Sequence, residues 1–192
     1  MGRINKPSGV RYAEIEHENS HGRVRVVLDI DGEQKSTADT GIGYFDHVLG
    51  LLAYCGRFDL GVSAEGDLLV DDRHTVENVG VCFGRAWQNA LAGTEQITRF
   101  GSEIVPLDDV LVLVSIDISG RPFLAFDVNF NKERIGGLST DSIELFLRSF
   151  TQHAGLTLHV KLLAGKNNHL ICEAVFKGLG IALRKAVVPF AS

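Results

Sequence analysis

The sequence has few cysteines, no long apolar run and no excess of positive charge. Its three cysteines lie far apart without a Cys-x-x-Cys spacing, which indicates reduced thiols and a cytoplasmic setting. Residues 1–7 contain no apolar core of a signal peptide, and Lys6 stands where a myristoylation signal needs serine or threonine. No apolar run approaches the roughly 20 residues of a membrane span. The net charge of -5 disfavours general nucleic-acid binding but leaves room for a local phosphate site.

The 192 residues, of which 45% are hydrophobic, are enough for one domain built from two small similar halves. In the first half, residues 23–30 alternate and are followed by Asp-Gly, which predicts a strand and a tight turn. Residues 43–54 have helical periodicity with Gly56 as the expected cap, residues 58–64 form a strand, and residues 75–91 form a long helix.

The second half repeats this order. We predict a strand over 110–118, a return strand over 123–130, a helix over 141–153, a strand over 156–163 and a helix over 169–187. Residues 92–109 join the halves without a low-complexity linker. The expected fold is therefore α/β (α+β), with two pseudo-symmetric β-β-α-β-α halves over about 9–95 and about 105–190, each with two helices on one face of a small mixed sheet.

Two short segments at the predicted starts of the long helices are similar to each other. They are Asp-Arg-His-Thr-Val-Glu, ending at Glu77, and Asn-His-Leu-Ile-Cys-Glu, ending at Glu173, and they lie 96 residues apart. Their merged pattern is His-His-x-x-Glu. His169 and Glu173 share one helix face, as do His74 and Glu77, and imidazole with carboxylate suits a divalent transition metal. Each pair alone is more often a solvated helix face, and the aspartates before Arg73 are also explained as a helix cap.

Several segments resemble the imidazoleglycerol-phosphate dehydratase family, in that family's order and over nearly the whole chain. The segments are residues 39–47, 66–77, 117–122, 157–159 and 173–177. The resemblance implies a fold like the second domain of ribosomal protein S5. It also implies removal of water from imidazole glycerol phosphate in histidine biosynthesis, two manganese ions, and homo-oligomers (trimers that pack into a 24-subunit cage) whose metal sites are shared between subunits.

The resemblance also implies the metal ligands. One set comprises His47, His74 and Glu77, with Leu170 at the fourth position. The other comprises His169 and Glu173, with Arg73 and Leu145 at positions where the family has histidine. Leucine offers no lone pair and arginine stays protonated, so these three substitutions remove ligands. We hypothesise that the charge of Arg73 substitutes for the second ion and pairs with Glu173 in the assembly.

The remaining expected site residues serve proton transfer and phosphate binding. Glu77, Glu173 and His21 are the acid–base candidates, although the family has glutamate at the position of His21. Arg99, Arg121 and Lys177 match phosphate-contact positions and have suitable charge, while a turn or a solvated surface is the alternative explanation for each. The family's C-terminal Ser-Ser-Lys-Gly segment is absent, since the sequence ends at Phe-Ala-Ser.

Three functions follow from this pattern. The leading one is imidazoleglycerol-phosphate dehydratase, a metal-dependent hydro-lyase, with activity reduced by the lost ligands. The first alternative is a catalytically silent paralogue that binds a phosphorylated imidazole ligand or co-assembles with an active subunit. The second is a one-metal enzyme with a changed substrate.

Overall fold

The computed structural model describes residues 11–20, 22–66, 68, 71–94 and 96–189. The first half contains, in chain order, β1 (Tyr12–Asn19), β2 (Gly22–Asp29), β3 (Ser36–Asp39), α1 (Gly43–Gly56), β4 (Asp59–Gly66) and α2 (Arg73–Leu91). The second half contains β5 (Phe100–Leu107), β6 (Val110–Asp117), β7 (Phe123–Asp127), the short pair β8 (Arg134–Ile135) and β9 (Leu138–Ser139), α3 (Thr140–Ala154), β10 (Thr157–Ala164) and α4 (Asn168–Ala186). None of the helices in these ranges has the length and apolarity to cross a membrane.

The predicted fold class is confirmed, because β-β-α-β-α occurs twice, as β2-β3-α1-β4-α2 and β6-β7-α3-β10-α4. Each repeat is preceded by one strand that was not predicted. β1 and β5 are edge strands of two mixed sheets with the orders β1-β2-β4-β3 and β5-β6-β10-β7. The joining region predicted over 92–109 therefore includes β5, and the return strand ends at Asp127.

Two local predictions need correction. The turn after β2 forms, but β7, predicted as a return strand, does not pair with β6; it pairs in parallel with β10, as β3 does with β4. Gly56 is the last residue of α1 rather than its cap. Arg57 takes the left-handed conformation (φ 56°) that usually suits glycine, and Gly155 takes it after α3.

The four helices lie between the two sheets. The inward residues of β2 and β6 are valine, leucine and isoleucine, and they pack on α2 and α4, respectively. Helices from different halves then pack on each other, α1 with α4 and α2 with α3. An aromatic cluster fills the centre and includes Phe83 and Trp87.

Glycines at the helix crossings reveal the internal symmetry. A Cβ on Gly84 would lie 2.7 Å from the carbonyl oxygen of Phe150, and a Cβ on Gly180 would clash with the carbonyl oxygen of Leu52. The two glycines are 96 residues apart and their two partners are 98 residues apart. The offset of 96 residues matches α2 to α4, and the offset of 98 residues matches α1 to α3. Equivalent positions in the two halves can therefore be assigned from the way the helices pack.

Candidate metal centre

Two imidazoles and a carboxylate meet at the N-terminal ends of α1 and α4. His47 Nε2 lies 2.8 Å from Glu173 Oε1, and His169 Nε2 lies 3.2 Å from the same oxygen. One ligand atom from each of the three residues lies within 4.8 Å of the other two. Both imidazoles are about half exposed, with side-chain exposures of 47% and 52%, so the cluster is open to a ligand or a neighbouring molecule.

The N-terminus of α4 is held in place by two side chains. Asn167 caps the helix, because its side chain accepts hydrogen bonds from the backbone N–H groups of His169 (3.0 Å) and Leu170 (3.5 Å). The Tyr44 hydroxyl donates to the carbonyl oxygen of His169 at 2.9 Å. Burial, with Cys172 next in importance, raises the pKa of Tyr44, so the hydroxyl remains a donor. These bonds fix the backbone that carries His169.

Glu173 is ionised at neutral pH. Burial would raise its pKa, but hydrogen bonds from His47 and Lys177 outweigh burial, and the pKa lies below its ordinary value. Lys177 Nζ lies 3.1 Å from Oε2, so the two histidines and the lysine occupy both carboxylate oxygens. Cys172 does not join the cluster, since it is fully buried and burial raises its pKa to about 12.

This grouping differs from the ligand sets implied by the resemblance. Within this chain, His47 lies with His169 and Glu173, not with His74 and Glu77. The reason is that α1 packs on α4 rather than on α2, so its imidazole reaches the other half of the molecule. His74 and Leu170, each the second residue of the merged His-His pattern, are outside the cluster.

The internal symmetry defines a second, equivalent position at the start of α2 and α3. There Arg73 corresponds to His169, Leu145 to His47, and Glu77 to Glu173. This mate cluster offers one ligand where the first offers three. Within the described ranges, neither the Arg73 guanidinium nor the Glu77 carboxylate has an ion-pair partner.

The aspartates before α2 have separate roles. Asp71 accepts a hydrogen bond from the backbone N–H of Arg73 at 3.0 Å, as a cap would. Asp72, which is 4% exposed, instead reaches α3, where it accepts hydrogen bonds from the Ser139 backbone N–H and, at 3.3 Å, from the Ser142 hydroxyl. The capping explanation is therefore wrong for the Asp72 side chain, which serves the neighbouring helix.

The expected phosphate-binding residues do not converge within one chain. Lys177 lies beside the metal cluster. The Arg99 backbone N–H donates to the carbonyl oxygen of Ala186, at the opposite end of α4, and its side chain pairs with Asp117 at 2.5 Å. α4 has 19 residues and is about 28 Å long. Arg121 lies near Asp117, so it too is remote from His169. His21 is outside the described residues.

Sequence reasoning did not identify Tyr44 as a support for His169 or Asn167 as a cap. Asparagine before a helical segment is a known N-cap signal and marks Asn167. No sequence signal marks Tyr44, because its partner lies 125 residues away.

A duplicated α+β fold that brings two imidazoles and a carboxylate together at paired helix N-termini defines the class, a two-repeat fold with a candidate metal centre between its halves. The family model for imidazoleglycerol-phosphate dehydratase matches residues 40–183. The chain belongs to the imidazoleglycerol-phosphate dehydratase family.

Relatives with this name cover almost the whole chain. The protein from Desulforudis audaxviator is 48% identical over 177 residues, 92% of this chain and 90% of its own length. That from Caldicellulosiruptor saccharolyticus is 43% identical over 176 residues, 92% and 91% of the two chains. The crystal structure of the dehydratase from Staphylococcus aureus is 30% identical, covers 93% of this chain and 99% of its own, and has a TM-score of 0.84.

Proposed function

We propose that this protein is an imidazoleglycerol-phosphate dehydratase that works with one divalent metal ion per chain. The cluster of His47, His169 and Glu173 carries the proposal, because two imidazoles and a carboxylate suit an ion of the manganese type. Family membership is consistent with metal dependence, and manganese is the ion that the resemblance implies. Among the described residues, the mate cluster offers only Glu77 as a ligand, so a second ion has no comparable donor set there.

The proposed reaction breaks one C–H and one C–O bond. The proton leaves the carbon adjacent to the one that carries the leaving hydroxyl, and it passes to a carboxylate. The hydroxyl takes up a proton and departs as water. The resulting enol becomes the ketone of imidazole acetol phosphate. A bound metal ion would stabilise the deprotonated substrate imidazole, which favours loss of the hydroxyl.

The two glutamates have different roles in this proposal. Both carboxylate oxygens of Glu173 are engaged, by His47, His169 and Lys177, so Glu173 orients the two imidazoles of the metal cluster rather than transferring a proton. Glu77 belongs to the mate cluster and has no ion-pair partner within the described ranges, so in the proposed oligomer its carboxylate is available to accept the proton from a substrate at a neighbouring subunit's metal cluster. His21 remains a further acid–base candidate.

We also propose a homo-oligomer, as a trimer or a 24-subunit cage in the cytoplasm. The separation of Arg99 and Arg121 from His169 supports this, because those guanidinium groups can reach a substrate at the cluster only from a neighbouring subunit. Size measurement in solution, with and without manganese, tests the assembly.

The function is tested by rescue of a histidine auxotroph that lacks its own dehydratase, together with elemental analysis of the purified protein. We expect growth, and one metal per chain, from the wild type. Growth and bound metal should both be lost in His47→Ala, whereas His159→Ala, which removes an exposed histidine on the outer face of the second sheet, should retain both. Two metals per chain, or none, would contradict the one-metal site.

The second candidate function is a silent paralogue that binds the phosphorylated imidazole without turning it over. Substitution of histidine by Arg73, Leu145 and Leu170 favours it. Failure of rescue together with saturable binding of imidazole glycerol phosphate would identify this case.

A further inference from the structure

Tyr44 brings a third ring to the metal cluster. Its ring centroid lies 4.7 Å from that of His169 and 5.9 Å from that of His47, and the two imidazole centroids are 6.3 Å apart. Rings whose centroids are about 4.5–7 Å apart attract each other. The phenol ring therefore packs against both candidate ligands and restricts the rotation of their imidazoles.

The same side chain connects the two helices that carry the ligands. Tyr44 lies in the first turn of α1, three residues before His47 and on the same helix face. Its hydroxyl donates to the carbonyl oxygen of His169, in the first turn of α4, at 2.9 Å. Because His47 and His169 come from different halves of the chain, the separation of their imidazoles depends on how these two helix ends are held.

Other side chains anchor each helix end separately. Asp46 holds the start of α1, since its Oδ1 accepts hydrogen bonds from the Thr40 backbone N–H at 2.9 Å and from the Thr40 hydroxyl at 2.6 Å. Asn167 caps α4. Neither anchor spans the two helices, as Tyr44 and Glu173 do.

The hydrogen bonds of Glu173 cannot persist when an ion binds. Those to His47 and His169 use the carboxylate and ring atoms that would coordinate the ion. Tyr44 instead bonds to a backbone oxygen and leaves all three ligand groups free. The link through Tyr44 is therefore compatible with both the metal-free and the metal-bound cluster.

The mate cluster provides an internal comparison. Ser142 is 98 residues after Tyr44, the same offset that relates Leu145 to His47. Its hydroxyl also reaches the start of a long helix, where it donates to Asp72 at 3.3 Å. A hydroxyl thus links the paired helix starts in both halves, but serine has no ring to place beside the mate cluster. The aromatic ring accompanies the cluster that has the histidines.

We propose that Tyr44 is a positioning residue of the metal centre. Its hydroxyl fixes the distance between the starts of α1 and α4, and its ring fixes the orientation of the two imidazoles, so that the cluster is preorganised for one divalent ion. This role rests on the one-metal site of the proposed function and deepens it, because it names a residue outside the ligand set that determines the affinity and the geometry of the site.

Titration of the metal-free protein with Mn²⁺, and separately with Co²⁺, tests this role. The concentration of free Mn²⁺ gives the dissociation constant, and the visible absorption of bound Co²⁺ reports its coordination geometry. Tyr44→Phe, which keeps the ring and removes the hydroxyl bond, should weaken Mn²⁺ binding about tenfold. Tyr44→Leu, which removes both, should weaken it towards about 100-fold and alter the Co²⁺ spectrum. The control Tyr54→Phe, which removes an exposed hydroxyl from the same helix, should change binding less than about twofold.

Melting temperatures measured in chelator show whether each variant is folded, and Tyr44→Phe provides the comparison if Tyr44→Leu does not fold. Two results would overturn this role and leave the one-metal site in place. The first is wild-type Mn²⁺ binding that the substitutions of Tyr44 leave unchanged. The second is a lower melting temperature in chelator without any change in Mn²⁺ affinity or Co²⁺ spectrum. Absence of Mn²⁺ binding by the wild type would overturn both this role and the one-metal site.

Discussion

Restoring the mate cluster is the sharpest test of the symmetry argument. The double substitution Arg73→His/Leu145→His places imidazoles at the positions equivalent to His169 and His47, beside the retained Glu77. We expect the metal content to rise from one to two ions per chain. The change also removes a guanidinium that opposes a cation at this position.

The size of the effect follows from linkage between metal binding and folding. An ion present at 100 times its dissociation constant stabilises the folded state by about 2.7 kcal/mol. In a protein of this length, each 1 kcal/mol raises the melting temperature by about 2–4 °C, so a second ion should add about 5–11 °C. Replacing the partly buried Leu145 by histidine has its own cost, of about 1 kcal/mol.

Measuring each protein with manganese and with chelator separates these contributions, because the cost of the substitution is common to both conditions. The variant should show a larger manganese-dependent rise in melting temperature than the wild type, and Leu145→His alone should not. A metal content of one ion per chain in the double variant, with no added manganese-dependent stabilisation, would refute the assignment of Arg73 and Leu145 as equivalents of metal ligands.

Three further predictions concern the fold. Gly180→Ala should lower the free energy of unfolding by about 1–3 kcal/mol in urea denaturation, because the helix crossing has no room for a Cβ. The control Gly43→Ala, at a position with open space around it, should leave this free energy unchanged. Equal effects of the two substitutions would contradict the close packing of α4 on α1 at Gly180. Asp72→Ala should cost about 1–3 kcal/mol, since it leaves a backbone N–H at the start of α3 unpaired, and unchanged stability would show that water satisfies it. Hydrogen bonding to Arg11, which outweighs burial, lowers the pKa of Asp31. The stabilisation of the folded state by the Arg11–Asp31 pair is therefore complete above the ordinary carboxyl pKa and is lost as pH falls through the lowered pKa, so Asp31→Asn should flatten the decline of wild-type stability between about pH 4.5 and 2. An unaltered decline in the variant would exclude this pair as the cause of the decline.

The duplicated architecture could be predicted because its central strands and helices have strong periodicity. The longest strands that were missed are the edge strands β1 and β5. β1 carries glutamate at alternate positions facing solvent, and β5 contains Gly101 and Pro106, so neither has the apolar, β-branched composition that predicts a buried strand.

The sequence indicates His47, His169 and Glu173 as candidate ligands, but it does not place these three side chains together within one chain. Spacing along a helix places His169 and Glu173 on one face, whereas the partner of that face depends on which helices pack together. α1 and α4 are adjacent because each half packs its helices on helices of the other half. No local sequence pattern predicts which helices pack together.

The pairing of α1 with α4 and of α2 with α3 limits how this chain arose. Each cluster takes one helix from each repeat, so an ancestor with a single repeat could have assembled either cluster only as a pair of identical copies. In such a pair, a mutation in the one ancestral gene alters both clusters together. Once two copies are joined in one chain, each cluster has its own codons, so Arg73 and Leu145 can differ from His169 and His47 without any change at the first cluster.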